Sequence, residues 1–195
     1  MSAEIGTAPV LGVDPDTPAL LQPLARVLVR VNGALVVVGM IALLVASVVL
    51  SYSVVSRYVM HASTDWQDEA AVFCLVGATF LCSAFVQSLR GHVGIEAVAS
   101  VLPHSWNRWR LMFVDVLCML FCAFFAWKSW TLFHEAWIDK QTTSSSWAPP
   151  LAIPYGLMAV GMTLLSVQLL VQMMARVNAL RGRRAGVTQR AGTAP

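Results

Sequence analysis

Four long runs of apolar residues, separated by short polar segments, dominate the chain. About 20 helical residues are needed to cross a hydrocarbon core of about 30 Å. The runs therefore predict spanning helices over about 33–56, 66–89, 109–133 and 149–176. No alternating apolar and polar pattern long enough for a sheet accompanies them. The pattern predicts an all-α membrane protein with four transmembrane helices.

A shorter amphipathic segment lies between the second and third spans, over about 91–102. Ile95, Val98 and Leu102 recur at helical spacing, and Glu96 lies off that face. The segment is too short and too polar to cross the bilayer. It predicts an interfacial helix that lies flat on the cytoplasmic surface as a lateral arm.

The two ends of the chain differ in composition from the middle. Residues 1–23 contain four prolines with Gly, Thr and Asp, which predicts a disordered tail. Residues 179–195 are polar and carry several arginines, which predicts a basic tail. The four-span membrane domain is predicted over 24–178.

Composition and charge agree with this division. The chain of 195 residues is 57% hydrophobic and only 12% charged, too few charges to cover a soluble globule of that size. The net charge of +3 comes from basic residues on one side of the membrane, not from a nucleic-acid-binding patch. Under the positive-inside rule, this side is the cytoplasm and both termini lie there. The residues concerned are Arg26, Arg30, Arg90, Arg108, Arg110, Arg176, Arg181, Arg183, Arg184 and Arg190.

Motifs for catalysis or cofactor binding are not found in the sequence. The chain has no GxGxxG, Walker loop, HExxH or nucleophile elbow. His61, His92, His104 and His134 fall in loops or at span ends, where they cannot face each other across a haem. Lys128 lies near the predicted outer end of the third span, so its ammonium is expected to snorkel to the headgroups. We predict a protein that is not an enzyme and holds no metal or cofactor.

Charged residues cluster where the first span ends and the second begins. Arg57 follows the first span, and Asp65, Asp68 and Glu69 begin the second. Two interpretations stay open. An Arg–Glu pair fixes how the two helices meet, or the charges form a solvated cluster at the headgroups worth under about 1 kcal/mol.

Small residues share one narrow face of the second span, which predicts close packing of another helix against it. The residues of this face are Ala70, Cys74, Gly77, Ala84 and Ser88.

The order of several short motifs on a four-span chain resembles the small (Q) membrane subunit of the tripartite ATP-independent periplasmic (TRAP) transporters. The motifs are Arg57-Tyr58, Trp66, Glu69, Gly77-Ala78, His92-Val93-Gly94-Ile95-Glu96, Leu102-Pro103, Ile153-Pro154 and Leu164-Leu165 with Gln168. They cover about 50–175. Glu96 stands where the family more often has Asp.

The resemblance implies a secondary transporter of the bacterial inner membrane. In such a transporter, a periplasmic binding protein captures an organic acid, and a large (M) subunit carries the sodium and substrate sites. The small subunit braces that large subunit. By the same resemblance, Arg57, Trp66 and Glu69 set the outer hairpin. His92 and Glu96 position the arm against phospholipid or the large subunit. The outer loop 135–150 is on the correct face to meet the binding protein.

Two other functions stay open at this point. One is the membrane-anchor subunit of a respiratory enzyme, and the other is a self-associating channel. Neither requires nucleic acid as a partner.

Overall fold

The structure is a computed structural model that describes residues 21–61, 64–89 and 104–191. The described residues form four long helices: α1 (Gln22–Val55), α2 (Asp65–Ser88), α3 (His104–Ile138) and α4 (Ala152–Ala191). Each contains a stretch long and apolar enough to cross a membrane. Within the described ranges there is no strand, only an isolated bridge between Thr142 and Pro150. The predicted all-α class with four spanning helices is confirmed.

Some predicted elements lie outside the described residues. These are the disordered tail up to residue 20, the interfacial helix over 91–102, and with it His92 and Glu96. Elsewhere the helices extend past the predicted spans. The third continues to Ile138, and the fourth continues as helix through most of the predicted basic tail to Ala191.

The connection between α1 and α2 is compact because α1 passes directly into a π-helical turn, Ser56–Met60. His61 ends that turn in the left-handed region, with φ of 53°. The backbone oxygen of Thr64 then accepts hydrogen bonds from the Gln67 and Asp68 amides at 3.0 and 3.3 Å, which starts α2. Acidic side chains in this first turn suit the positive end of the helix dipole.

The second helix is central in the bundle. It packs against α1 along one side and α4 along another, and α4 in turn packs against α3. The connections 56–64 and 139–151 lie at the same end of the bundle, here called the hairpin end. At the opposite end α1 reaches α4, where Ala25 and Leu28 pack with Val171. The predicted close approach of another helix to α2 is confirmed on two sides.

Small residues form most of the interior. In α1 five of the six buried positions recur every seven residues, which keeps one seam facing its neighbours. These positions are Ala25, Asn32, Gly39, Ala46 and Ser53. Large apolar side chains such as Leu44 and Val48 instead cover the exterior, as expected where lipid chains are the solvent. Close packing of small residues, more than burial of large side chains, holds the helices together.

Several hydroxyl groups in the spans form hydrogen bonds within their own helices. Thr79 donates to the Leu75 carbonyl at 2.8 Å, and Ser166 donates to the Met162 carbonyl at 2.8 Å. Such bonds remove the cost of an unpaired polar group in hydrocarbon. These hydroxyls therefore form no polar path through the bundle.

Candidate functional site

The charged cluster at the hairpin end is organised by Arg57 and Asp68. Nη2 of Arg57 lies 2.9 Å from Oδ2 of Asp68. The guanidinium also donates to Oγ1 of Thr64, at 2.6 Å from Nη2 and 3.2 Å from Nε. Ser53 donates to the other carboxylate oxygen of Asp68 at 3.2 Å. We call Ser53, Arg57, Thr64 and Asp68 the outer cluster.

The outer cluster joins two helices and the turn between them. Ser53 belongs to the last turns of α1, Arg57 to the π-helical turn, and Asp68 to the first turn of α2. The Thr64 hydroxyl serves Arg57 and does not cap α2. Because the Arg57 and Asp68 side chains are 60% and 49% exposed, water screens their attraction, which is worth below about 1 kcal/mol. The cluster therefore sets geometry more than it adds stability.

The structure pairs Arg57 with Asp68, not with Glu69. Successive helical residues are turned by about 100°, so Glu69 points away from α1. It shares the face of α2 that includes Phe80, which contacts α4. Its Oε2 atom is buried and has no hydrogen-bond partner among the described residues. Asp68, the residue before Glu69, therefore forms the ion pair with Arg57, although charge alone would allow either carboxylate to do so.

Trp66 connects α2 to the loop between α3 and α4. Its ring meets that of Trp147 edge-on, with centroids 6.5 Å apart. The residues that precede these two tryptophans are also in contact, because Ser146 donates to Oδ2 of Asp65 at 3.4 Å. The loop is closed at its base, where the Leu151 amide donates to the Gln141 carbonyl at 2.9 Å. The 139–151 loop is therefore a closed hairpin-like segment seated on the start of α2.

Gly77 lies in the contact between α2 and α4. A Cβ atom there would come within 3.2 Å of Cδ1 of Leu157. Two other glycines permit still closer contacts: a Cβ on Gly39 would overlap Sγ of Cys82, and one on Gly161 would overlap the Phe80 carbonyl oxygen. These glycines let neighbouring helices pack closely, through side chains at Gly39 and Gly77 and through backbone at Gly161.

Amide side chains form a second polar group toward the end opposite the hairpins, here called the inner amides: Asn32, Gln87, Gln168 and Gln172. Nδ2 of Asn32 donates to Oε1 of Gln168 at 3.4 Å and joins α1 to α4. Nε2 of Gln87 donates to Oε1 of Gln172 at 3.0 Å, and Gln172 donates back to the Gln87 carbonyl at 2.9 Å. Gln168 and Gln172 thus bind two different helices from one face of α4.

Sequence reasoning missed three of the four inner amides. Gln168 was among the motifs of the resemblance, but Asn32, Gln87 and Gln172 were not singled out. A signal was present: Asn32 falls on the seven-residue repeat that includes Gly39 and Ser53. A polar side chain on a buried seam of a spanning helix indicates a partner on another helix.

The described residues offer no metal-binding arrangement. No group of three or more His, Cys, Asp and Glu side chains within them is placed to hold an ion. The four cysteines are free thiols within α2 and α3. These side chains join parts of the chain and carry out no reaction. The Arg57–Asp68 ion pair and the two amide pairs link helices, and the Trp66–Trp147 pair links α2 to the 139–151 loop.

Comparison with known proteins agrees with the resemblance. A family model described as "Tripartite ATP-independent periplasmic transporters, DctQ component" matches residues 46–179, which include Arg57, Trp66, Glu69 and Gly77. No curated protein and no solved structure matches the chain. The matched range and the four apolar helices together show that the chain belongs to the DctQ family, the small multi-pass inner-membrane component of a tripartite transporter whose other parts are a DctM component and a binding protein.

Proposed function

We propose that this chain is the non-catalytic small subunit that braces the large membrane subunit in sodium-driven uptake of an organic acid, a carboxylate delivered by the binding protein. The observation that carries this proposal is the close packing of α2 at two glycines. A Cβ atom on Gly39 of α1 would overlap Sγ of Cys82, and one on Gly161 of α4 would overlap the Phe80 backbone. A helix seated this closely cannot slide without moving its neighbours. Such a bundle suits a fixed support, against which another subunit moves.

The polar groups of the spans support the same role. Asn32 pairs with Gln168, Gln87 with Gln172, and Trp130 with Thr163, all between helices of this chain. Polar side chains committed to such contacts hold helices together and do not offer a passing substrate a path. We therefore assign substrate and sodium binding to the large subunit.

We place the hairpin end in the periplasm and both termini in the cytoplasm. The arginine distribution supports this orientation. The segment over 91–102, with His92 and Glu96, is then a cytoplasmic arm that lies against phospholipid or the large subunit. The outer cluster and Trp66 hold the periplasmic hairpins in position, and the 139–151 loop lies on the face that the binding protein approaches.

Uptake in proteoliposomes tests the proposal. The large subunit is reconstituted with and without this chain, with the binding protein outside and an inward sodium gradient. Uptake of the organic acid is expected only when both membrane subunits are present, and this chain alone should carry none. Full uptake by the large subunit alone, or uptake by this chain alone, would refute the bracing role. Collapsing the sodium gradient tests the coupling separately.

A further inference from the structure

Lys128 lies in the middle third of the bundle, not near its end. Two residues along α3, Nε1 of Trp130 donates to Oγ1 of Thr163 at 3.0 Å, and Thr163 lies about halfway along the spanning stretch Ala152–Ala175. One turn in the other direction, the Phe125 ring stacks on that of Phe80, with centroids 6.5 Å apart. Phe80 lies roughly 22 Å along α2 from Asp65. The two contacts bracket Lys128 from either side.

Lys128 faces away from its own bundle. The buried residues around it, Ala126 and Ser129, lie on the other side of α3. Its Nζ atom lies 5.9 Å from the centroid of the Trp127 ring, and Trp127 is itself 66% exposed. Within the part of the chain described, no carboxylate forms an ion pair with it. A charged group at mid-depth thus points out of the chain.

The headgroups are too far for this ammonium. The middle of a bilayer is about 15 Å from either headgroup region, whereas the stem of a lysine side chain spans roughly 6 Å. Helical side chains also lean toward the N-terminus of their helix, which for α3 is the end opposite the hairpins. The expectation of snorkelling rested on a span ending at 133. The apolar stretch of α3 that could span a membrane runs to Ile138, and a span that ends there leaves Lys128 ten residues from its end.

We propose that the face of α3 formed by Leu120, Phe124, Trp127 and Lys128 docks on the large membrane subunit. There, a carboxylate or backbone carbonyl oxygens of that subunit bind the ammonium. Acyl chains supply no acceptor for a charge at this depth, whereas a second membrane protein does. The exposed rings of Phe124 and Trp127, 6.3 Å apart, supply apolar contact around the charge.

This inference rests on the proposed function only in naming the large subunit as the occupant. The two are separable by experiment. If uptake requires this chain but the tests below fail, the bracing role stands and the docking face is elsewhere.

Site-specific photo-crosslinking tests the face. Benzoylphenylalanine replaces Phe124 in the chain co-expressed with its large subunit, and in a parallel sample it replaces Val48, an exposed residue on α1. Position 124 should give an adduct with the large subunit, and position 48 should give lipid adducts. Adducts at position 124 only with lipid, or with a second copy of this chain, would overturn the proposal.

Charge variants test the pairing. Lys128→Met keeps the length and removes the charge, so it should lower recovery of the purified two-subunit complex by roughly tenfold or more, because it leaves the partner's acceptor unpaired. Lys128→Arg should stay within about threefold of the wild type, because the charge is kept. The variant chain alone should insert and unfold like the wild type, since Lys128 faces outward. Wild-type recovery with Lys128→Met would overturn the pairing.

Discussion

Gly161 of α4 and Phe80 of α2 touch through their backbones. A Cβ atom on Gly161 would lie 2.6 Å from the Phe80 carbonyl carbon and would overlap its oxygen. Backbone cannot move aside as a flexible side chain can, so this contact fixes the distance between the two helices. It belongs to the contact between α2 and α4 that helps to place α2 at the centre of the bundle.

Replacing Gly161 should therefore destabilise the protein more than replacing a nearby glycine. Gly161→Ala must push α4 away from α2, and we expect a loss of about 1–3 kcal/mol in the free energy of unfolding. Gly77→Ala is the matched control, because its Cβ would meet only Cδ1 of Leu157 at 3.2 Å. Reversible unfolding in detergent micelles measures both. Equal losses for the two variants would contradict the backbone contact.

The number of helices and the small face of α2 could be predicted from sequence, but the neighbours of each helix could not. In water, a 3.6-residue apolar period shows which face is buried. In lipid both faces are apolar, so Leu44 on the exterior of α1 and Leu28 in its seam look alike in sequence. Residue size is the remaining signal, and it identified Gly77 but not its contact Leu157 on α4.

The sequence could not show which carboxylate pairs with Arg57, and the reason is different. Asp65, Asp68 and Glu69 carry the same charge within one turn, and the choice among them depends on how far α2 is rotated about its axis. That rotation is set by contacts such as Gly39 with Cys82. The length of α3 is a similar case, because Ala136, Trp137 and Ile138 follow the polar pair His134-Glu135, and the sequence does not mark which of these residues ends the helix.

The outer cluster predicts a coupling between Arg57 and Asp68 and none between Arg57 and Glu69. In a double-mutant cycle of Arg57→Ala with Asp68→Ala, we expect an interaction free energy of below about 1 kcal/mol but above the error of measurement. The same cycle with Glu69→Ala should give about zero, because Glu69 faces away from Arg57. Unfolding in detergent at low ionic strength is the measurement. A larger coupling to Glu69 than to Asp68 would show that the pairing is different.

The same variants also address assembly. If the outer cluster sets the hairpin geometry on which the large subunit depends, Arg57→Ala should lower uptake by the reconstituted transporter, and Arg57→Lys should lower it less. Uptake unchanged in Arg57→Ala would reduce the cluster to a solvated group at the headgroups.

For the inner amides Asn32 and Gln168, we expect that the losses in the free energy of unfolding of the two single variants will not sum to the loss of the double variant. Gln168→Leu leaves the buried amide of Asn32 without its acceptor, and we expect a loss of about 1 kcal/mol in the free energy of unfolding. Changing both residues to Leu removes the unpaired group, so the double variant should be more stable than the sum of the two single losses predicts. Unfolding in micelles gives all four values. Simple additivity would mean that Asn32 and Gln168 do not interact.

We expect the contact between Trp147 and Trp66 to hold the 139–151 loop on α2. The edge-on contact with Trp66 is worth about 0.5–1.5 kcal/mol, which corresponds to a change of several-fold in local opening. Trp147→Ala should therefore speed hydrogen exchange at the amides of Thr143 and Leu151, which bond to carbonyls across the loop. Trp137→Ala is the control, because Trp137 lies at the same end but packs on Phe133 within α3, with centroids 5.9 Å apart. Exchange at these two amides should stay at the wild-type rate in the control, and equal acceleration in both variants would show that the Trp66 contact does not hold the loop.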